Sequence, residues 1–199
     1  MRYWWVPLLL LVLCTPANAV IFIGGGGGAA APAQRVATAG TDGASFNSAY
    51  ANANYYFVGT RYNPPADVGP IDQLDQWFRA VDGDPSAYTF TAVIYVMDGS
   101  DDLSTLVATS EGVNGGDLTG GEFTSFTFAS PPQLSNGTNY FMGTTMNAID
   151  ASKNADPSYG DGAWDDGGTN AVSFECQSDG TCGGAGGAEY YMKLYYVPQ

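Results

Sequence analysis

The residues best equipped for chemistry are acids set among glycines. The stretch "SYGDGAWDDGG" (158–168) gathers Asp161, Asp165 and Asp166 around Trp164, with Asp156 just upstream. A second group, Asp98, Asp101 and Asp102, stands in "MDGSDD" (97–102). Calcium takes roughly six to eight hard oxygens, partly carboxylate and partly backbone carbonyl, and glycine-rich loops bring carbonyls close. Asp98, Asp101, Asp102, Asp156, Asp161, Asp165 and Asp166 are therefore candidate ligands, and calcium the candidate cofactor. Neither group fits the EF-hand loop with its closing Glu. Asp-Gly pairs also make ordinary turns whose carboxylates face water. An exposed indole in such a loop can stack on the apolar face of a sugar ring, while carboxylates accept hydrogen bonds from its hydroxyls. That makes Tyr159, Asp161, Trp164, Asp165 and Asp166 a candidate ligand site. The alternative is a loop folded back so that Trp164 caps one end of the fold.

Catalysis is hard to assemble from this composition. The chain has no histidine, which excludes Ser-His-Asp and Cys-His arrangements. No G-x-S-x-G nucleophile turn is present. A glycoside hydrolase would need two carboxyl groups about 5–10 Å apart, and Glu111, Glu122, Glu175 and Glu189 are the candidates. Glu122 and Glu175 are polar partners in alternating patterns and are expected to face water. The expected protein is not an enzyme.

Composition narrows the partners. Residues 1–19 read as an export signal: Arg2 is the only charge, Val6 to Cys14 is apolar, and Ala17-Asn18-Ala19 is a small-x-small cleavage pattern. The apolar run is too short to span a membrane, which takes about 20 residues. The expected location is secreted or cell-surface, with the periplasm as the alternative. Without the signal, five basic side chains face twenty acidic ones, a net charge of −15. That charge opposes nucleic acid, whose binding rests on cationic side chains, and anionic membrane surfaces. Cys14 leaves with the signal. Cys176 and Cys182 remain in "CQSDGTC" and in an oxidising compartment form a disulfide.

The elements that must position these loops are strands. Residues 20–43 read as a Gly/Ala-rich flexible segment, with a tether over 24–34, and 44–199 as one domain. "YYFVGTRYNP" (55–64), "YTFTAVIYVM" (88–97), "STLVATSEG" (104–112), "EFTSFTFAS" (122–130), "NGTNYFMGTTMNA" (136–148), "NAVSFEC" (170–176) and "AEYYMKLYYVP" (188–198) are β-branched and aromatic runs between Gly, Pro, Asn and Asp turns. "GPIDQLDQWFRAV" (69–81) fits strand alternation, and its apolar spacing 71-74-77-78-81 also fits a helix; the β neighbours favour the strand. The total of about eight strands predicts an all-β antiparallel sandwich, jelly-roll-like. An eight-stranded membrane barrel is the rival of the same length. Trp77 reads as core. The pairs Tyr55-Tyr56, Tyr190-Tyr191 and Tyr195-Tyr196 each put one ring on either sheet face.

The order of these segments resembles that of secreted bacterial β-sandwich modules. "YYFVGTRYNPPADVGPIDQLDQWF" is similar to their opening strands. "FTAVIYVMDGSDDLSTLVATS" resembles their "V-x-I-Y-x-x-x-G-x-x-L-A" hairpin. "FTSFTFASPPQLSNGTNYFMG" resembles their "F-x-F-x-x-P-x-x-L-x-x-G-T-x-Y" segment, and "AEYYMKLYYV" their closing strand, with Glu189 where an Asp is common. The resemblance implies a non-catalytic, carbohydrate-binding-module-like jelly roll whose partner is a glycan or a cell-surface or matrix component. The second expectation is a self-associating structural protein, with Val20–Ile23 and the glycine tether donating a strand to a neighbour's sheet edge.

Overall fold

The computed structural model describes residues 35–40, 56–82, 84–147, 154–157, 159–160, 164–168, 172–184 and 189–198, with backbone alone at 82, 154–157, 159–160, 189 and 198. The expected signal (1–19), the glycine tether (24–34) and Asp161 lie outside these residues.

The described chain is all β, with no α-helix. Its strands are β1 (Arg35–Ala39), β2 (Phe57–Tyr62), β3 (Val68–Asp82), β4 (Thr89–Met97), β5 (Leu103–Thr109), β6 (Val113–Asn114), β7 (Glu122–Thr127), β8 (Tyr140–Met146), β9 (Asn154–Pro157), β10 (Tyr159–Gly160), β11 (Ser173–Cys176), β12 (Cys182–Gly184), β13 (Glu189–Tyr190) and β14 (Met192–Pro198). Fourteen strands replace the expected eight, and eleven of them are three residues or longer. The additions are mostly short: β6, β9, β10, β12 and β13 have two to four residues each.

Two antiparallel sheets pack face to face. The first runs β1-β14-β3-β7, with β9 also on β3; the second runs β12-β11-β2-β8-β4-β5, with β6 also on β4. Among the long strands, β1, β3, β7 and β14 lie in one sheet and β2, β4, β5 and β8 in the other. The chain therefore crosses between sheets at nearly every step, the order of a jelly roll. β1 corrects the expected domain start. It lies inside the stretch read as flexible (20–43), yet all five of its residues pair with β14, from Arg35 opposite Tyr196 to Ala39 opposite Met192.

The alternation of β3 explains why its sequence also looked helical. Ile71 pairs with Tyr196 and Gln73 with Tyr195, so Asp72 is an extra residue in the ladder. Such a bulge shifts the side-chain phase by one, which leaves Ile71 and Leu74, three apart, on the same inward face. From Gln73 to Phe78 the strand is regular. Leu74, Gln76 and Phe78 point inward, and Asp75 and Trp77 outward. The core between the sheets holds Tyr62, Ile71, Leu74, Phe78, Phe90, Ile94, Phe126, Met142 and Leu194, all fully buried. Each such side chain contributes about 1.5–3 kcal/mol on leaving water.

The outer face of the second sheet carries a smaller apolar cluster of Val93, Met97, Phe141, Phe174 and Cys176. The Phe141 ring lies across Gly59 and Gly143, where a Cβ would meet its Cζ at 2.7 and 2.6 Å. The Cys176–Cys182 disulfide forms here. Its loop leans on the turn before β5, with Leu103 N–H donating to the Gly180 carbonyl (2.9 Å).

Candidate functional site

Residues 164–168 of the acidic glycine-rich stretch turn Trp164 inward. Trp164 is 3% exposed and belongs to the main core. Its Nε1 donates to the Arg61 carbonyl (3.0 Å), and its ring tilts against Tyr62 at 4.6 Å between centroids. The expected sugar-stacking lip is corrected on this point, because the indole is enclosed and its polar handle is used. The reason is energetic. A tryptophan ring is worth more in the core than in water whenever its N–H finds an acceptor there.

The neighbouring acids hold the loop in place. Asp165 Oδ1 accepts from Thr38 N–H (2.9 Å), and Asp165 N–H donates to the Thr38 carbonyl (3.1 Å). Asp165 thus covers the open edge of β1 much as another strand would. Asp166 Oδ2 accepts from the hydroxyls of Tyr62 (2.6 Å) and Tyr196 (3.2 Å), while its Oδ1 accepts from Gly168 N–H (2.9 Å). Burial and the Asp166 carboxylate raise both tyrosines, Tyr196 up to about 12. Of the other expected loop residues, Tyr159 pairs with Tyr190 through its backbone, and Asp156 pairs with Ala80 in the same way.

The second acidic group is also spent on structure. Asp98 Oδ1 accepts from the N–H groups of Ser100 (2.8 Å) and Asp102 (3.1 Å), closing its own turn. Asp101, at φ +64°, forms a 2.6 Å ion pair with Arg61. Asp102 Oδ1 accepts from Cys182 N–H (2.7 Å) and ties the disulfide loop to the turn. Among the described residues no three acidic, cysteine or histidine side chains gather as a metal would require. The expected calcium ligands Asp98, Asp101 and Asp102 are each engaged in one of these protein contacts.

Glu111 and Glu122 are exposed. Glu175 corrects the expectation that it faces water. It points between the sheets, half-buried, with Oε1 accepting from the Tyr190 hydroxyl (3.2 Å), and desolvation pushes its carboxyl up.

What sequence reasoning missed lies on the outer face of the first sheet. Trp77, expected in the core, points outward there, because Phe78 beside it faces in. Trp77 meets Phe123 edge-on at 5.0 Å and Tyr191 at 5.6 Å, and Phe123 meets Tyr191 at 4.7 Å. The Lys193 ammonium sits 3.8 Å over the Phe123 ring. One row along, Gln73 Nε2 donates to Asp75 Oδ1 (2.6 Å) and to Ser125 Oγ (3.1 Å). Tyr195 hydrogen-bonds the same carboxylate, and burial followed by this bond raises its hydroxyl. β3, β7 and the residue before β14 thus place three half-buried aromatic rings next to a row of amide, hydroxyl and phenol around the buried Asp75 carboxylate. The Trp77 Nε1 donor is buried without a protein partner. The signal for this face was present in the doublets. Tyr190 and Tyr196 are buried while Tyr191 and Tyr195 face outward, as strand alternation requires.

A scan against protein-family models finds no match, and no curated protein shows significant sequence similarity to the chain. Among the described residues no helix is long and apolar enough to cross a membrane.

Proposed function

We propose that the protein is a secreted, non-enzymatic β-sandwich that binds a neutral glycan of a cell surface or matrix. The binding face in this reading is the outer side of the first sheet. The observation that carries it is the Trp77–Phe123–Tyr191 ring cluster beside Gln73, Asp75 and Ser125. Aromatic rings take the apolar face of a pyranose, and a short row of amide and carboxylate groups orients its hydroxyls. The disulfide fits an oxidising compartment. The test is retention on, and calorimetric titration with, neutral oligosaccharides of the cello-, xylo-, manno- and chito- series. Tyr191→Ala and Gln73→Ala should each weaken binding at least tenfold with the fold intact. Equal binding by both variants would remove this face from consideration.

Calcium accompanies this reading only through Asp156 and Asp161, since Asp165 and Asp166 already serve Thr38 and the tyrosines. Thermal unfolding in EDTA against millimolar calcium tests it. A site at 100 times its dissociation constant adds about 2.7 kcal/mol, several degrees for a domain of this size. No shift removes the ion.

A second reading, self-association, is favoured by β5. It is an edge strand of seven uncharged residues, "LSTLVAT", in a chain of net charge −14, and Leu106 at its centre is 50% exposed. Edges without charge or proline invite pairing with another strand.

A further inference from the structure

Three buried side-chain atoms among the described residues have no protein hydrogen-bond partner: Gln76 Oε1, Trp77 Nε1 and Ser173 Oγ. They are not scattered. Two adjoin Tyr191 and the third stands across a ladder from the residue that holds Tyr190. Gln76 Nε2 donates to the Tyr191 carbonyl (3.3 Å). Trp77 N–H donates to the same carbonyl (3.0 Å). Ser173 stands opposite Thr60 in the β2–β11 ladder, and Thr60 Oγ1 accepts from Tyr190 N–H (2.9 Å).

Two of the three face the interior. Gln76 shares its side of β3 with the core residues Leu74 and Phe78. Ser173 lies on the side of β11 opposite Phe174 and Cys176, which belong to the outer cluster. Both Gln76 and Ser173 are 0% exposed. We infer that Gln76 Oε1 and Ser173 Oγ each bind a buried water in the interior around Tyr190-Tyr191. A buried amide oxygen or hydroxyl left unpaired forfeits the hydrogen bond it made in solvent. Interior waters occupy polar sites where they find two to four partners, and each of these groups supplies one or two. An amide oxygen accepts twice, and a hydroxyl both donates and accepts. Glu175, two residues along the same side of β11, sets a carboxyl group on the Tyr190 hydroxyl and disfavours an anion as the occupant. Water matches this mixed donor and acceptor set.

A high-resolution crystal structure of the whole chain tests the inference directly. Ordered water is expected 2.7–3.2 Å from Ser173 Oγ and from Gln76 Oε1, the usual hydrogen-bond range; empty density at both overturns it. Ser173→Ala gives an opposite sign for the two cases. If the hydroxyl holds water, the variant loses that bond and Tm falls by about 2–4 °C. If the hydroxyl is dry, a methyl group relieves its desolvation and Tm stays or rises, which overturns the inference. Should the variant fail to fold, the native protein still decides. Cross-relaxation between long-lived water and the amide protons of Ser173 or Tyr190 is expected in solution, and its absence counts against the site.

Discussion

Tyr62 and Asp166, 104 positions apart in sequence, meet in a 2.6 Å hydrogen bond. Tyr196 reaches the same oxygen from β14 at 3.2 Å. One carboxylate therefore joins strands of both sheets to the acidic loop. A hydrogen bond to a charged group contributes about 1.5–3 kcal/mol. Asp166→Asn should destabilise the fold by about that much in urea unfolding, while Asp165→Asn, at an exposed position, should cost less. Equal and negligible effects from both would show that the carboxylate holds nothing.

The same contact sets a limit at alkaline pH. The folded values of Tyr62 and Tyr196 lie above the usual 10.0, mainly through burial and then through Asp166. A group raised on folding stabilises the native state below its unfolded value, and that contribution is lost as pH rises past it. Stability should hold up to about pH 10 and fall steadily above it. Tyrosinate absorbance should show a late-titrating class that appears only with unfolding, and Asp166→Asn should move Tyr196 down from about 12.

Trp164 should behave as a core residue. Trp164→Ala should cost about 3–5 kcal/mol, the range for removing a large buried aromatic, and Trp164→Phe clearly less. Glycan retention by folded Trp164→Phe should match that of the native protein. Selective loss of binding without loss of stability would return the loop to the role of a sugar-stacking lip.

Much of the fold was legible because its strands carry strong local signals. "YTFTAVIYVM" is β4 with the expected boundaries to within one residue. β1 was missed because "RVATA" has, after its arginine, only small and β-branched residues and follows a glycine and alanine tract. Its strand character comes from pairing with β14 and from Asp165, neither of which is local. Alternation supplies a period but not a phase. Glu175 was read outward because its neighbours Phe174 and Cys176 looked like core, yet those two cover the outer face beneath the disulfide loop. Trp77 failed for the same reason. Of two adjacent aromatics on a strand, one must face out, and only the partner sheet decides which.

The edge of β5 makes the self-association reading measurable. Sedimentation velocity across a range of concentrations should reveal dimers that Leu106→Lys abolishes. Screening of the acidic surface by salt should promote them. A monomer at all concentrations and salt levels would leave Leu106 as a solitary exposed leucine.

The disulfide closes a short loop, with a sequence separation of 6. Chain entropy then gives about 2–2.5 kcal/mol. Cys176→Ser with Cys182→Ser should lower Tm by about 5–10 °C. It should also loosen the Asp102 and Leu103 contacts of the loop, seen as faster amide exchange at Cys182 and Leu103. An unchanged Tm would mean that the outer apolar cluster alone holds this corner.

The pairing of β1 with β14 has a mechanical meaning. Because the two strands are antiparallel, Arg35 at the start of one lies opposite Tyr196 near the end of the other. A pull applied through residue 35 and residue 198 therefore acts at one end of a five-rung ladder and across it. The rungs are loaded one after another, as in a zipper, instead of together, as in shear. The force needed to begin opening is set by the first pair alone, and the grip of Asp165 on Thr38 is met only three residues further in. Handles moved to residues 90 and 140, at opposite ends of the β4–β8 ladder in the second sheet, would load its seven rungs at once, so the same domain should yield early in one direction and resist in the other.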